Sequence, residues 1–178
     1  MRAERGASVR LVAPAVELRE SFLSALREFE AEGLPWWQGP GVELAARDFA
    51  AFVADKLAQA RRGADGAPAK THLWAVADGR FVGRIAIFHG LTEALRVSGG
   101  HIGYDTVPSA RGRGVATQML RQALPVARGL GLREVLLTCD ETNAASIRVI
   151  ERCGGELRET RALAEGRPAK RYYWIALA

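Results

Sequence analysis

The residues best suited to chemistry stand in one run, Thr106-Val107-Pro108-Ser109-Ala110-Arg111-Gly112-Arg113-Gly114-Val115-Ala116. A strand pattern ends at Pro108, a glycine-containing turn follows, and an amphipathic helix pattern starts at once. Backbone N–H groups at such a helix start have no intrahelical partner. With the helix dipole behind them they form a ready site for an anion. Gly112, Gly114 and the small Ala116 let a bulky pyrophosphate approach the backbone, and Arg111 and Arg113 add positive charge. A Walker loop is excluded because no Gly-Lys-Ser/Thr closes the run. A dinucleotide fingerprint is excluded because Thr117 stands where its third glycine belongs.

A second feature lies one strand later. Asn143-Ala144-Ala145-Ser146 opens a short helix pattern over 144–153, closed by Gly154-Gly155, and Asn143 suits its N-cap. The other chemistry-bearing side chains are sparse. Cys139 and Cys153 belong to no CxxC or Cys/His ligand pattern, so reduced, buried thiols are expected. Cys139 ends an apolar strand with no histidine beside it in sequence, which reads as a core thiol rather than a covalent acyl carrier. His72, His89 and His101 form no HxxxH pair, and no metal site is expected.

The elements that must position these residues follow from periodicity. Residues 9–13 read as a first strand, 15–32 as a helix stopped by Gly33 and Pro35, and 33–41 as a loop carrying Trp36 and Trp37. A second helix is expected over about 42–62, then a polar connector over 63–70. Strands 71–77 and 81–88 flank Asp78-Gly79, a hairpin signal. After a connection over 91–97, residues 98–107 read as a third long strand. The helix over 114–130 contains Pro125, which should bend or shorten it. The nearly continuous apolar run 135–139 suits a strand covered on both faces. Segments 156–163 and 171–177 read as a closing hairpin. The order is that of an α/β (α+β) fold, a mixed sheet with helices on both faces, in a single domain spanning 1–178.

Composition narrows the function classes. At 178 residues, the chain is long enough to bury a real core. No apolar run reaches the roughly 20 residues of a membrane span, and no secretory signal pattern opens the sequence, so a cytoplasmic protein without membrane contact is expected. The net charge of +5 suits a polyanionic ligand. The arginines are scattered, with no basic block or recognition motif, and nucleic acid is not expected as a partner.

The Arg-x-x-Gly-x-Ala pattern of 111–116, following a strand that ends Val107-Pro108, resembles the acyl-CoA signature of the GNAT (GCN5-related) N-acetyltransferases. Asn143 one strand later fits the same family. So does the run Gly99-Gly100-His101-Ile102-Gly103-Tyr104 with Arg171-Tyr172-Tyr173-Trp174-Ile175, which looks like a little-described branch of predicted acetyltransferases. The resemblance covers about 71–177. It implies a mostly antiparallel central sheet of about six to seven strands. It also implies acetyl-CoA as cosubstrate, held by Thr106, Val107, Arg111, Gly112, Arg113, Gly114, Val115, Ala116, Thr117, Asn143 and Ser146.

The implied chemistry is direct transfer of acetyl to an amine, on a small molecule or a peptide, in a ternary complex, by a monomer or homodimer. A catalytically silent acyl-CoA-binding or regulatory module is the alternative. The amine must be neutral to attack, so a base or water chain takes its proton. Candidates are His101, Asp105 and Glu141, with His89 and Tyr104 behind them; His101 has the most suitable intrinsic pKa, and a structural histidine bonded within the sheet is its alternative. The developing oxyanion needs preorganised donors, which the resemblance places on the backbone of about 104–107. One departure stands out. Many family members carry on the helix after Asn143 a tyrosine that protonates the leaving thiolate, and that position here is Ile150. Trp36 and Trp37 either stack on substrate or cap the core edge.

Overall fold

A computed structural model describes residues 8–33, 40–61, 63 and 66–177. Trp36 and Trp37 lie outside the described residues. The elements run β1 (Arg10–Val12), a 3₁₀ turn (Val16–Leu18), α1 (Arg19–Ala31), α2 (Pro40–Arg47), α3 (Phe49–Ala58), β2 (Lys70–Ala77) and β3 (Arg80–Phe88). They continue through α4 (Glu93–Val97), β4 (Ile102–Thr106), a 3₁₀ turn (Pro108–Ala110), α5 (Val115–Gly129), β5 (Glu134–Asp140), α6 (Ala144–Arg152), β6 (Glu156–Arg161) and β7 (Lys170–Ala176).

The strands divide into two antiparallel sheets, ordered β1-β2-β3-β4 and β5-β7-β6. Among the described residues a single isolated bridge, Gly100 to Leu137, joins them. Gly100 holds φ 73, and a Cβ there would stand 2.3 Å from the Leu136 carbonyl oxygen, so the seam admits no side chain. Beyond the seam the two sheets part, and the gap between β4 and β5 is where clefts open.

The first sheet is covered on both faces. Trp74 stacks on Phe22 of α1 at 4.8 Å, with Phe52 of α3 and Phe81 close by. On the other face Gly83 lies against Met119 of α5, where an added Cβ would be 3.2 Å from the sulfur. Phe22, Trp74, Ile85, Met119 and Leu120 are all buried, each such side chain stabilising the fold by roughly 1.5–3 kcal/mol.

Four sequence expectations shift for local reasons. The helix expected over 42–62 is two helices, because the Asp48 carboxylate accepts from the Ala51 amide at 2.9 Å and caps a new start. The long strand expected over 98–107 begins only at Ile102, after left-handed Gly99 and Gly100. Part of the expected connection over 91–97 is the short helix α4, capped by the Thr92 hydroxyl. Finally, α5 runs unbroken through Pro125. That residue lies on the exposed side of the helix, where the carbonyl it leaves unpaired can meet water.

Candidate active site

The turn before α5 has the conformation its glycines require. Gly112 and Gly114 hold φ 75 and 76, in the left-handed region that side chains avoid. A Cβ on either would meet no protein atom within 4 Å, so backbone shape and the open space beyond, not crowding, call for glycine. Gly114 caps α5 with no side-chain hydrogen bond, leaving the opening amides to an outside acceptor. A cleft of about 570 Å³ lies over them, lined by Tyr104, Asp105, Thr106, Arg111, Gly112, Gly114, Val115, Ala116 and Thr117 on one side. The other wall is α6 with its cap: Asn143, Ala145, Ser146, Arg148, Val149 and Arg152.

Arg111 lines this cleft, yet its guanidinium grips the Glu32 carboxylate through both terminal nitrogens at 2.6 and 2.8 Å. Its Nε donates to the Thr106 carbonyl at 3.2 Å. Glu28, one turn earlier on α1, accepts from the Ser109 amide and hydroxyl. Arg111 thus ties the turn to the end of α1. Arg113 does not line the cleft, and Val107 is a core residue whose amide donates to the Val82 carbonyl at 3.0 Å. The cationic side chains of the opposite wall are Arg148 and Arg152, which the sequence reading missed. Their spacing with Ala145 and Val149 on one helical face is the signal that would have found them.

A second cleft, of about 680 Å³, opens on the far side of the gap and shares Tyr104, Asp105, Asn143 and Ser146 with the first. Its walls include Lys70, His72, Arg84, Phe88, Ile102, Leu137, Thr138, Cys139, Ile150 and Lys170. At the junction the Tyr104 hydroxyl meets the Ser146 hydroxyl at 2.7 Å. Burial pushes the Tyr104 phenol up to about 12, against the pull of the Ser146 hydrogen bond, so it stays protonated at any working pH. Asn143 caps α6, its Oδ1 accepting from the Ser146 amide at 3.0 Å. Asp105 accepts from Arg84 Nε at 2.8 Å.

The gap also exposes backbone. The His101 carbonyl accepts from Phe88 and the Val107 amide donates to Val82, so within β4 the intervening odd residues, Gly103 and Asp105, face β3. Alternation then turns the amides of Tyr104 and Thr106 toward the gap.

The remaining sequence candidates are occupied elsewhere. His101 is buried at 6% exposure and lines neither cleft; its Nδ1 accepts from the Leu136 amide at 2.9 Å. Glu141 ties down the approach to β7, its Oε1 accepting from the Ala169 amide at 3.0 Å, and it lines neither cleft. His89 bonds Thr71 through Nε2 at 2.8 Å. Ile150 is only 1% exposed. His72, by contrast, lines the second cleft, bonded to Gln59 at 2.8 Å. Among the described residues, no group of three or more His, Cys, Asp and Glu side chains is placed to hold a metal ion. None of the described helices is long and apolar enough to cross a membrane.

Solved structures share this architecture. The chain is similar to Mycobacterium smegmatis RimJ in complex with CoA-disulfide, at 20% identity over 96% of this chain and 83% of that one, TM-score 0.70. It is similar to RimL, a ribosomal L7/L12 alpha-N-protein acetyltransferase, in complex with coenzyme A, at 18% identity over 96% and 94%, TM-score 0.70. The microcin C7 self-immunity acetyltransferase MccE, in complex with acetyl-CoA and AMP, aligns at 14% identity over 94% and 92%, TM-score 0.68. No curated protein matches the chain. These likenesses speak for the fold. The family itself is shown by sequence, since the acetyltransferase (GNAT) domain model matches residues 15–156. That match takes in both the turn before α5 and the whole of α6, and this chain therefore belongs to the GNAT acetyltransferase family.

Proposed function

We propose that this chain is an acetyl-CoA-dependent N-acetyltransferase, passing acetyl directly to an amine held in the second cleft. The observation that carries the reading is the junction. Two clefts, one lined by an uncapped helix start and arginines, meet at the Tyr104–Ser146 hydrogen bond. Acetyl-CoA, when bound, supplies a thioester carbonyl and a thiolate leaving group.

The roles divide by chemistry. The opening amides of α5 receive the pyrophosphate, and Arg148 and Arg152 add charge from the opposite wall. Arg111 holds the turn in shape through Glu32 rather than touching phosphate. The amides of Tyr104 and Thr106 serve as donors to the developing oxyanion; the Val107 amide, given to Val82, does not. Asp105, lining both clefts, takes the amine proton directly or through water. Tyr104 stands where β4 meets α6 and supplies the proton to the departing sulfur that Ile150 cannot.

Tyr104→Phe tests this. Thiol release with a panel of amines should fall about 10²-fold, the lower end of the general-acid range, because thiolate is already a tolerable leaving group. Acetyl-CoA affinity by calorimetry should hold within about threefold. A variant as fast as the wild type would remove Tyr104 from the chemistry. A wild-type protein that binds acetyl-CoA but acetylates no amine would support the silent module instead.

A further inference from the structure

The acceptor cleft carries a charge its own residues do not answer. On one face of β2 and β3 the directly opposed pairs include Lys70 with Phe88, His72 with Ala86 and Trp74 with Arg84. At the Trp74 end that face is covered by α1 and α3. Toward Lys70 it opens into the second cleft. The C-cap residue of α3 fixes this wall. The Gln59 carbonyl accepts from the Lys70 amide at 2.8 Å, and the Gln59 side chain holds the His72 ring at 2.8 Å.

Three cations line the cleft, and two have carboxylates. Arg84 pairs with Asp105 at 2.8 Å, and Lys170 pairs with Asp140 at 2.8 Å. The Lys70 ammonium lies 4.9 Å from the centre of the Phe88 ring, and among the described residues no carboxylate is within salt-bridge distance of it. Burial, then the like charges of Lys56 and Arg84, lowers its pKa, and Asp55 opposes them only weakly. His72 beside it is neutral and adds no charge of either sign. A half-buried cation crowded by other cations gains most from an arriving anion.

We propose that the acceptor is a small amine that also bears a carboxylate or phosphonate, and that Lys70 is the specificity-determining residue that binds this anion. The proposal rests on the acetyltransferase reading above, and its experiment separates the two. One arm compares transfer to β-alanine and to β-alaninamide, and to aminoethylphosphonate and ethanolamine. The other arm needs no turnover: calorimetry, with CoA present, of N-acetyl-β-alanine against N-acetyl-β-alaninamide.

The anionic member should be favoured about 10–100-fold in each arm, the range of a charge-assisted hydrogen bond. In Lys70→Met, which keeps the apolar stem against Phe88, the preference should fall below about threefold. Lys70→Arg should keep most of it. Equal binding of the two products by the wild type, no binding of either, or a preference that survives Lys70→Met would overturn the assignment, whatever the turnover. Absence of acetyl-CoA binding and of transfer to every amine would instead overturn the acetyltransferase reading.

Discussion

His101 Nδ1 accepts a hydrogen bond from the Leu136 amide at 2.9 Å, while the His101 amide donates to the Leu136 carbonyl at 2.7 Å. These two bonds lie beside the Gly100–Leu137 bridge and hold the two sheets together where they part. The ring lies edge-on to Trp174 at 6.3 Å, and burial lowers its pKa. His101→Leu should therefore act on stability. The buried Leu136 amide would lose its acceptor, at a cost of about 1–3 kcal/mol of unfolding free energy, read by urea denaturation. Turnover of the folded variant should stay within about threefold of wild type. A fall of 10²-fold or more, with acetyl-CoA affinity intact, would make His101 a base after all.

Stability should depend on pH through His72. Burial, then Lys70, Lys56 and Arg84, pushes its pKa down to about 3, against roughly 6.5 in the unfolded chain. Because the folded pKa is depressed, the unfolded chain takes up the proton first. This contribution is fully present above about pH 6.5 and is lost as pH falls toward 3. Between about pH 6.5 and 5, above the carboxylate range, the full slope for one histidine is about 1.4 kcal/mol per pH unit. His72→Gln should remove roughly 1 kcal/mol per pH unit from the wild-type slope, read by urea denaturation across that window. Identical slopes would mean that His72 is charged in the folded protein.

Gly114→Val should separate two costs. The left-handed backbone at φ 76 strains any side chain by about 1–2 kcal/mol, which a melting curve reads. A side chain projecting into the cleft should also weaken acetyl-CoA binding by about 1–3 kcal/mol, through blocked approach and lost amide contacts. Unchanged affinity in a folded variant would place the pyrophosphate elsewhere.

The turn, the Asn143 cap and the Asp78-Gly79 hairpin were legible in the sequence because each is a local device, set by a few neighbouring residues. What stayed hidden depends on partners far along the chain. Arg111 reads as a phosphate ligand until Glu32, 79 positions away, takes its guanidinium. His101 reads equally as a candidate base or as a histidine bonded within the sheet until β5 brings the Leu136 amide to its ring. Lys70 is one cation among 25 Lys and Arg residues, and only the register that sets Arg84 opposite Asp105 and Lys170 opposite Asp140 shows which cation of the second cleft has no carboxylate partner among the described residues. The break at Asp48 was readable, since an aspartate three residues before Ala51 is a cap signal. The apolar periodicity that continued across it masked the break.

Cys139 lines the second cleft, so a covalent acetyl-cysteine route is open to experiment. Burial raises its pKa, with Arg171 only partly opposing, and a protonated thiol is a poor nucleophile. The hydroxyl pair Tyr104–Ser146 stands at the junction beside it, already placed to handle a proton without a second covalent step. Direct transfer predicts that Cys139→Ala keeps most of its turnover. Intact-protein mass spectrometry of the wild type, mixed with acetyl-CoA before any amine is added, should show no acetyl adduct. Cys139→Ser guards against a packing effect, since it preserves the volume while replacing the thiol with a far weaker nucleophile. An acetylated Cys139 that forms as fast as turnover, and then passes its acetyl to an added amine, would overturn direct transfer. Loss of activity in both variants without that adduct would trace to the wall of the cleft, because a nucleophile must carry the group it transfers.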